Sequence, residues 1–224
     1  MRLSIIIPAL NEAEQIAATL ASAAAPGVEV TVVDGGSGDA TVDLARAAGA
    51  TVLTAGRGRA RQMNAGAAAA DGDALLFLHA DTRLPAGFDA AVAAALADPA
   101  VVGGRFDVRL EPSTPWLDLV AALINRRSRW SRIGTGDQAL FVRRAVFEAM
   151  GGFPDLPLME DLAFSIALKR RGGIACLRQT VATSSRRWLR DGPLRTVLLM
   201  WWLRFLFWCG VPAERLKRHY ADTR

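Results

Sequence analysis

Residues 3–7 form an apolar run with no two-residue alternation, the pattern of a strand covered on both faces. An Ala-rich stretch over 13–25 follows, predicted helical and stopped by Pro26-Gly27. A second apolar run, 28–33, ends in the loop Asp34-Gly35-Gly36-Ser37-Gly38-Asp39. Helix 41–48, strand 50–54, helix 60–70 and strand 74–78 continue the series. Strands and helices alternating at this spacing predict a parallel sheet with right-handed crossovers. Ligands of such sheets bind at the carboxyl ends of the strands. The candidate positions are therefore the polar residues just after each strand: Asn11 and Glu12, Asp34 to Asp39, Gly56 to Arg61, and His79 to Asp81.

The second half is less regular. A helix over 86–97 ends at Asp98-Pro99, a strand is predicted at 101–110 and a helix at 116–130. Residues 138–142 read as a strand entering a short helix that stops at Gly151-Gly152. Helix 158–171, strand 174–181 and a strongly apolar helix over 194–209 complete the pattern, with no internal repeat or low-complexity linker.

Composition narrows the class. With 224 residues, 51% of them hydrophobic and 22% charged, the chain is too apolar for disorder and too charged for a polytopic membrane protein. Cys176 and Cys209 are far apart and outside any CxxC pair, which argues against a disulfide scaffold or structural zinc. The N-terminal apolar run is too short for a secretory signal, so a cytoplasmic location is expected.

The net charge of +5 is unevenly distributed: nine basic and three acidic residues lie from Arg186 onward, against eighteen and nineteen before it. A basic, apolar tail suits an anionic membrane surface at least as well as DNA, and no nucleic-acid partner is expected. Arg195 and Arg204 interrupt the apolar segment 194–211, leaving it short of a spanning helix. Three readings of it stay open: a core helix, a homodimer interface, or a helix in peripheral contact with a membrane.

Acids after strands carry the main chemical signal. Asp34 follows its strand directly and is expected to point into the crevice, with glycines at 35, 36 and 38 letting backbone approach a ligand. Ser37 or Asp39 can cap the next helix, and the loop reads equally well as a plain turn. Asp81, after strand 74–78, is a hard oxygen ligand suited to Mg²⁺ or Mn²⁺ on a diphosphate, or else the start of the turn before Arg83. His79 is a second ligand or a packing residue. Arg57, Arg59 and Arg61, set among glycines at a helix start, make an anion-binding environment. Glu160 and Asp161 open a helix, where the macrodipole favours acids and where either could serve as a general base. Neither a dinucleotide fingerprint nor a P-loop follows the first strand.

Taken in order, the strings IIPALNE (6–12), VDGGSGDAT (33–41), NAG (64–66), LHAD (78–81), GGF (151–153) and ED (160–161) resemble family 2 glycosyltransferases of the GT-A fold. GRGRARQMNAG, GDQALFVRR and SSRRW are similar to a small bacterial subgroup associated with radical-SAM and selenium or arsenosugar gene clusters.

The resemblance implies a Rossmann-like α/β/α sandwich on a mostly parallel sheet. Residues 1–190 would form the transferase domain, with the nucleotide-sugar half at about 1–100 and the acceptor half at about 101–190; 191–224 would be an apolar, basic helical extension. It places Pro8, Asn11, Glu12, Asp34, Gly36 and Asn64 around the nucleotide sugar, with Arg57, Arg59 and Arg61 on its phosphates. Asp81, with His79, would hold a divalent metal, Mn²⁺ or Mg²⁺. Asp161, beside Glu160, would deprotonate the acceptor, and Asp137, Gln138, Arg187 and Trp188 would line the acceptor side.

The implied donor is a UDP- or GDP-linked sugar, and the acceptor a small molecule or lipid. His79 stands at the first position of the family's DxD motif, and Gly35 where many relatives carry a second Asp. Ser184 replaces the Gln of the QxxRW motif of polysaccharide synthases, which favours single transfer over polymer synthesis. A sugar nucleotidyltransferase and a non-catalytic nucleotide-sugar-binding module are the rival readings.

Overall fold

The computed structural model describes residues 1–220. The first half runs β1 (Leu3–Ala9), α1 (Ile16–Ala23), β2 (Val28–Asp34), α2 (Thr41–Ala47), β3 (Thr51–Thr54), α3 (Arg59–Ala69) and β4 (Ala74–Phe77). Helix α1 begins three residues later than the Ala-rich pattern predicts. Glu12 carbonyl oxygen accepts the Gln15 and Ile16 amides at 3.0 and 2.9 Å in a first turn, while the Ala13 amide donates to Asp39.

The second half runs β5 (Thr82–Arg83), α4 (Phe88–Ala95), β6 (Val101–Glu111), α5 (Pro115–Ser131), β7 (Leu140–Arg143), α6 (Arg144–Ala149), α7 (Glu160–Lys169) and β8 (Gly173–Ser184). Residues 136–138 form a single 3₁₀ turn between α5 and β7. The short helices α8 (Arg186–Asp191) and α10 (Ala213–Lys217) flank α9 (Pro193–Trp208). The pattern misses β5, α8 and α10, which are too short to carry a period, and it ends β8 three residues early. Those residues pair with β6 through Glu111↔Ser184.

The eight strands form one sheet in the order β3-β2-β1-β4-β7-β6-β8-β5. The half of the sheet made by β3, β2, β1 and β4 is parallel throughout. β7 is antiparallel to both β4 and β6, β6 and β8 are parallel, and β5 runs antiparallel to β8. Pro8 is tolerated in central β1 because it lies beyond the part paired with β4, which ends at Ile6↔Phe77, so its missing N–H breaks no ladder bond.

Alternate residues of β1 serve opposite layers, as a doubly covered strand requires. Ile5 and Ile7 pack with Ile16, Leu20, Phe88 and Val92 on one face. Ile6 packs with Met63, Leu75, Phe77 and Phe164 on the other. In that second layer Phe153 stacks on Phe164 with centroids 4.2 Å apart and meets Phe77 edge-on at 4.7 Å. Helix α3 reaches β1 and β2 closely at Gly66: a β-carbon there would come within 2.5 Å of Ile6 and 2.9 Å of Val33.

The C-terminal helices close one end of the sheet. The inner face of α9 puts Leu203, fully buried, among Leu158, Met159, Leu162 and Leu216. Val197 and Trp188 pack beside Leu110, Leu117 and Val120 of β6 and α5. Cys176 and Cys209 are both free. Among the described residues no helix is long and apolar enough to cross a membrane.

Candidate active site

The loops after β1 and β2 are tied to each other. Register sets Ala9 beside Asp34 at the strand ends. The Asp34 carboxylate accepts from the Gly36 amide (2.9 Å) and from the amide and hydroxyl of Ser37. The Asn11 amide donates to Ser37 Oγ at 2.9 Å, and its side-chain oxygen accepts the Gly38 amide at 2.9 Å. Glu12 donates its amide to Thr41 Oγ1, and Asp39 accepts the Thr41 and Ala13 amides.

Asp34 and Asn11 thus brace the loop after β2 through Gly36, Ser37 and Gly38. Neither Ser37 nor Asp39 is the helix cap. The N-cap of α2 is Ala40, with no side-chain cap bond.

Beside these loops lies a cleft of about 670 Å³, whose walls include Glu12, Arg57, Arg59, His79, Asp81, Asp137, Glu160 and Arg186. Glu12, almost fully buried, accepts from Arg186 Nη2 at 2.7 Å, and the same nitrogen lies 3.5 Å from Asp81 Oδ2. One guanidinium therefore joins the acid after β1 to the acid after β4. Burial opposes the charge of Arg186, but Glu12 and Asp81 outweigh it and raise its pKa.

Across the cleft, Arg59 Nε pairs with Glu160 Oε1 at 2.7 Å. Glu160 Oε2 is buried without a hydrogen-bond partner. Burial pushes the Glu160 carboxyl up, partly countered by Arg59 and reinforced by the neighbouring Asp161 charge. The Arg59 guanidinium is held charged despite its burial by Glu160, with help from Asp161 and Asp137.

Asp161 is one residue into α7. Its Oδ2 accepts the Gly136 amide at 2.6 Å and its Oδ1 the Leu162 amide at 2.7 Å. Gly136 is wedged between Asp161 and His79 Nε2, leaving no space for a β-carbon. His79 Nδ1 lies 3.2 Å from Asp137 Oδ1. Crowding around Asp137 works against its charge, yet the His79 hydrogen bond and the charges of His79, Arg59 and Arg204 prevail and bring its pKa to about 2. His79 thus lines the cleft wall and pairs with Asp137 through Nδ1.

The other candidates divide between the cleft and its surroundings. Arg61 turns outward to Asp155 at the rim, where both side chains are more than half exposed. Asn64 clamps the Phe153 backbone with two hydrogen bonds of 2.8 Å, away from the cleft wall. Gln138 is fully buried, accepting the Thr135 amide and donating to Ser128 Oγ and Phe106 carbonyl oxygen. Asn64 and Gln138 thus hold neighbouring segments of chain in place. Arg187 lines the cleft while stacking on Tyr220, 3.7 Å from the ring centroid, and Trp188 lines it while packing toward α5. Thr196, Met200 and Lys217 also line it, so the C-terminal helices complete the cleft as a wall.

Two residues escaped the sequence reading. Arg186 is one place before the residues singled out in SSRRW, and nothing in that string says which arginine reaches Glu12. Gln62, nearly fully buried, donates to Ala9 and Val33 carbonyl oxygens at 2.8 Å each, bridging the ends of β1 and β2. Its signal was available: it is a polar residue on the buried face of α3, one turn after Arg59.

Among the described residues no three His, Cys, Asp or Glu side chains gather as a metal site. Asp81 has a partly exposed carboxylate on the cleft wall, 3.5 Å from Arg186 Nη2, and the more exposed carboxylates of Asp137 and Asp155 line the cleft too. A single carboxylate fits Mg²⁺ or Mn²⁺ when the remaining ligands are diphosphate and water.

A sequence model of glycosyl transferase family 2 matches residues 4–153. Solved structures with the same fold include S. aureus TarS, 18% identical with a TM-score of 0.65 over 83% of this chain and 61% of that one. The Pyrobaculum calidifontis mannosyltransferase PcManGT, in complex with GDP-Man and Mn²⁺, is 24% identical with a TM-score of 0.62, covering 81% of this chain and 56% of that one. Glucosyl-3-phosphoglycerate synthase from Mycobacterium tuberculosis, in complex with Mn²⁺, UDP and glucosyl-3-phosphoglycerate, is 22% identical with a TM-score of 0.67, covering 94% and 81%. The chain thus spans less than two thirds of the length of the first two. No curated protein sequence matches it.

Proposed function

The chain belongs to glycosyl transferase family 2, and from that premise we propose that it moves one sugar from a UDP- or GDP-linked donor to a hydroxyl of a small-molecule or lipid acceptor, with inversion. The observation that carries this reading is the convergence of Glu12, Asp81, Arg59 and Glu160 on one cleft, from positions spread over much of the chain.

The donor lies at the carboxyl ends of β1 and β4. Arg57, which lines the cleft with no ion-pair partner among the described residues, and Arg186 meet the diphosphate. Asp81 is the residue that would hold a divalent ion, and that ion would supply Lewis-acid stabilisation of the leaving diphosphate. The named structural relatives agree with this class: PcManGT holds GDP-Man and Mn²⁺, and the mycobacterial synthase holds UDP and Mn²⁺.

Asp161 is the base. Its two backbone hydrogen bonds orient the carboxylate, and each oxygen keeps a lone pair for a proton. Glu160 serves Arg59 instead, keeping that guanidinium paired and in place. The acceptor oxygen attacks the anomeric carbon as its proton passes to Asp161. The bond from that carbon to the diphosphate oxygen breaks, and its electron pair leaves with the nucleotide.

A nucleotide-release screen of UDP- and GDP-sugars, each with Mn²⁺, Mg²⁺ or chelator, tests the proposal. Release from at least one donor, reduced by chelator, is the expected result. Release and binding absent for every donor would overturn it.

A further inference from the structure

The outer face of α9 carries large apolar side chains with no partner among the described residues. Leu194, Leu198, Trp201, Phe205 and Trp208 are spaced by alternating steps of four and three, which places them in one stripe. All are at least 58% exposed, and Trp208 reaches 72%. The neighbouring helix α5 shows a second stripe of Trp116, Leu119, Leu123 and Trp130, the last 88% exposed. The two helices are packed together through Val197 of α9 and the cluster of Leu117, Val120 and Ala121. A contiguous apolar surface of this kind is rare on a soluble monomer unless something covers it.

Charge identifies the cover. Segments 115–132 and 186–220 together hold twelve basic and three acidic residues, more than the whole net charge of +5. Arg126 on α5, Arg132 at its end, Arg190 on α8, Arg195 on α9, Arg215 on α10 and Arg218 at its end are all exposed. A second copy docking by a two-fold axis would set these arginines against themselves. An anionic bilayer complements them, while tryptophans sit at the headgroup level and arginine stems extend along the interface. Helix α9 is 16 residues long with two arginines inside it, which fits a helix lying in the interface rather than crossing.

We infer that α5 and α9 form a docking face for an anionic lipid bilayer, on which both helices lie in the plane of the headgroups. Since Thr196 and Met200 of α9 also line the cleft, docking brings the cleft to the bilayer surface. The inference concerns binding alone and stands or falls separately from the transfer reaction.

The test is co-sedimentation with vesicles of phosphatidylcholine, with and without phosphatidylglycerol, together with quenching of tryptophan emission by brominated lipid. The wild-type chain should partition to the phosphatidylglycerol vesicles, with its tryptophans quenched, and release as salt rises. A Trp201→Ser, Phe205→Ser, Trp208→Ser variant should partition about tenfold less or worse, and Arg126→Glu with Arg195→Glu roughly tenfold less. These side chains are exposed, so unchanged circular dichroism and melting are expected for both variants. Three results would overturn the inference: no partitioning or quenching of the wild type, equal partitioning to both vesicle types, or a concentration-dependent dimer in ultracentrifugation that the serine variant abolishes.

Discussion

Asp161 and Glu160 are adjacent in sequence and divide their contacts sharply. Asp161 holds two backbone amides, whereas Glu160 holds Arg59 and leaves one oxygen without a partner. Replacing Asp161 with Asn removes the proton acceptor but keeps a side-chain oxygen for the Gly136 amide. Turnover should fall about 100-fold or more with nucleotide binding retained, read by single-turnover kinetics beside calorimetry. Glu160→Gln should instead weaken donor binding, because it leaves Arg59 charged and unpaired in the wall. The reverse pattern, a dead Glu160→Gln and an active Asp161→Asn, would move the base to Glu160.

Asp137 yields a prediction in pH. Its pKa is lowered from 3.8 to about 2, so its ionised form stabilises the folded state fully above about pH 4, and that contribution disappears as pH falls toward 2. Asp137→Asn should flatten the stability profile across that window, measured as urea midpoints. An unchanged slope would mean that the His79–Asp137 contact adds nothing to stability.

Among the elements, α3 does the most to shape the site. Its N-terminus delivers Arg59 to Glu160, its second turn delivers Gln62 to the ends of β1 and β2, and Gly66 lets it approach the sheet. Alanine at position 66 improves helix propensity by about 1 kcal/mol, but its methyl group must displace Ile6 and Val33. The crowding should win. Gly66→Ala is expected to lose roughly 1–2 kcal/mol in chemical denaturation, with weaker nucleotide binding as α3 shifts outward.

At this scale the sequence was a good guide where periodicity is long. The strands and helices of the first half lie where their apolar patterns put them, α1 excepted at its start. In that exception a tertiary contact, Asp39 to the Ala13 amide, displaced a helical turn that composition favours. Short elements such as β5 had no pattern to read.

At the scale of the molecule, the cleft is built jointly by the sheet and the C-terminal helices. Ligand occupancy should therefore stabilise the chain as a unit. Nucleotide with Mn²⁺ at about 100 times its Kd adds about 2.7 kcal/mol, which for a chain of this length raises Tm by roughly 5–10 °C. Differential scanning fluorimetry with UDP and GDP, each with and without Mn²⁺, reads the shift directly. A flat response to both nucleotides would remove the donor from the proposal.

The order of secondary structure and the acids that follow the strands followed from local chemistry, because propensity, periodicity and turn residues act over a few positions. The motifs likewise marked Glu12, Asp81, Arg59 and the Glu160-Asp161 pair as candidates for one site. Their partners were a different matter. Arg186 finds Glu12 across 174 residues, and Asn64 reaches Phe153 across 89. Such contacts depend on which side chain a finished fold turns inward, and no short-range pattern encodes that choice. For the same reason the hydrogen bonds of Asn64 and Gln138 were not legible in sequence, and the two antiparallel pairings of β7 emerged only when the sheet was assembled.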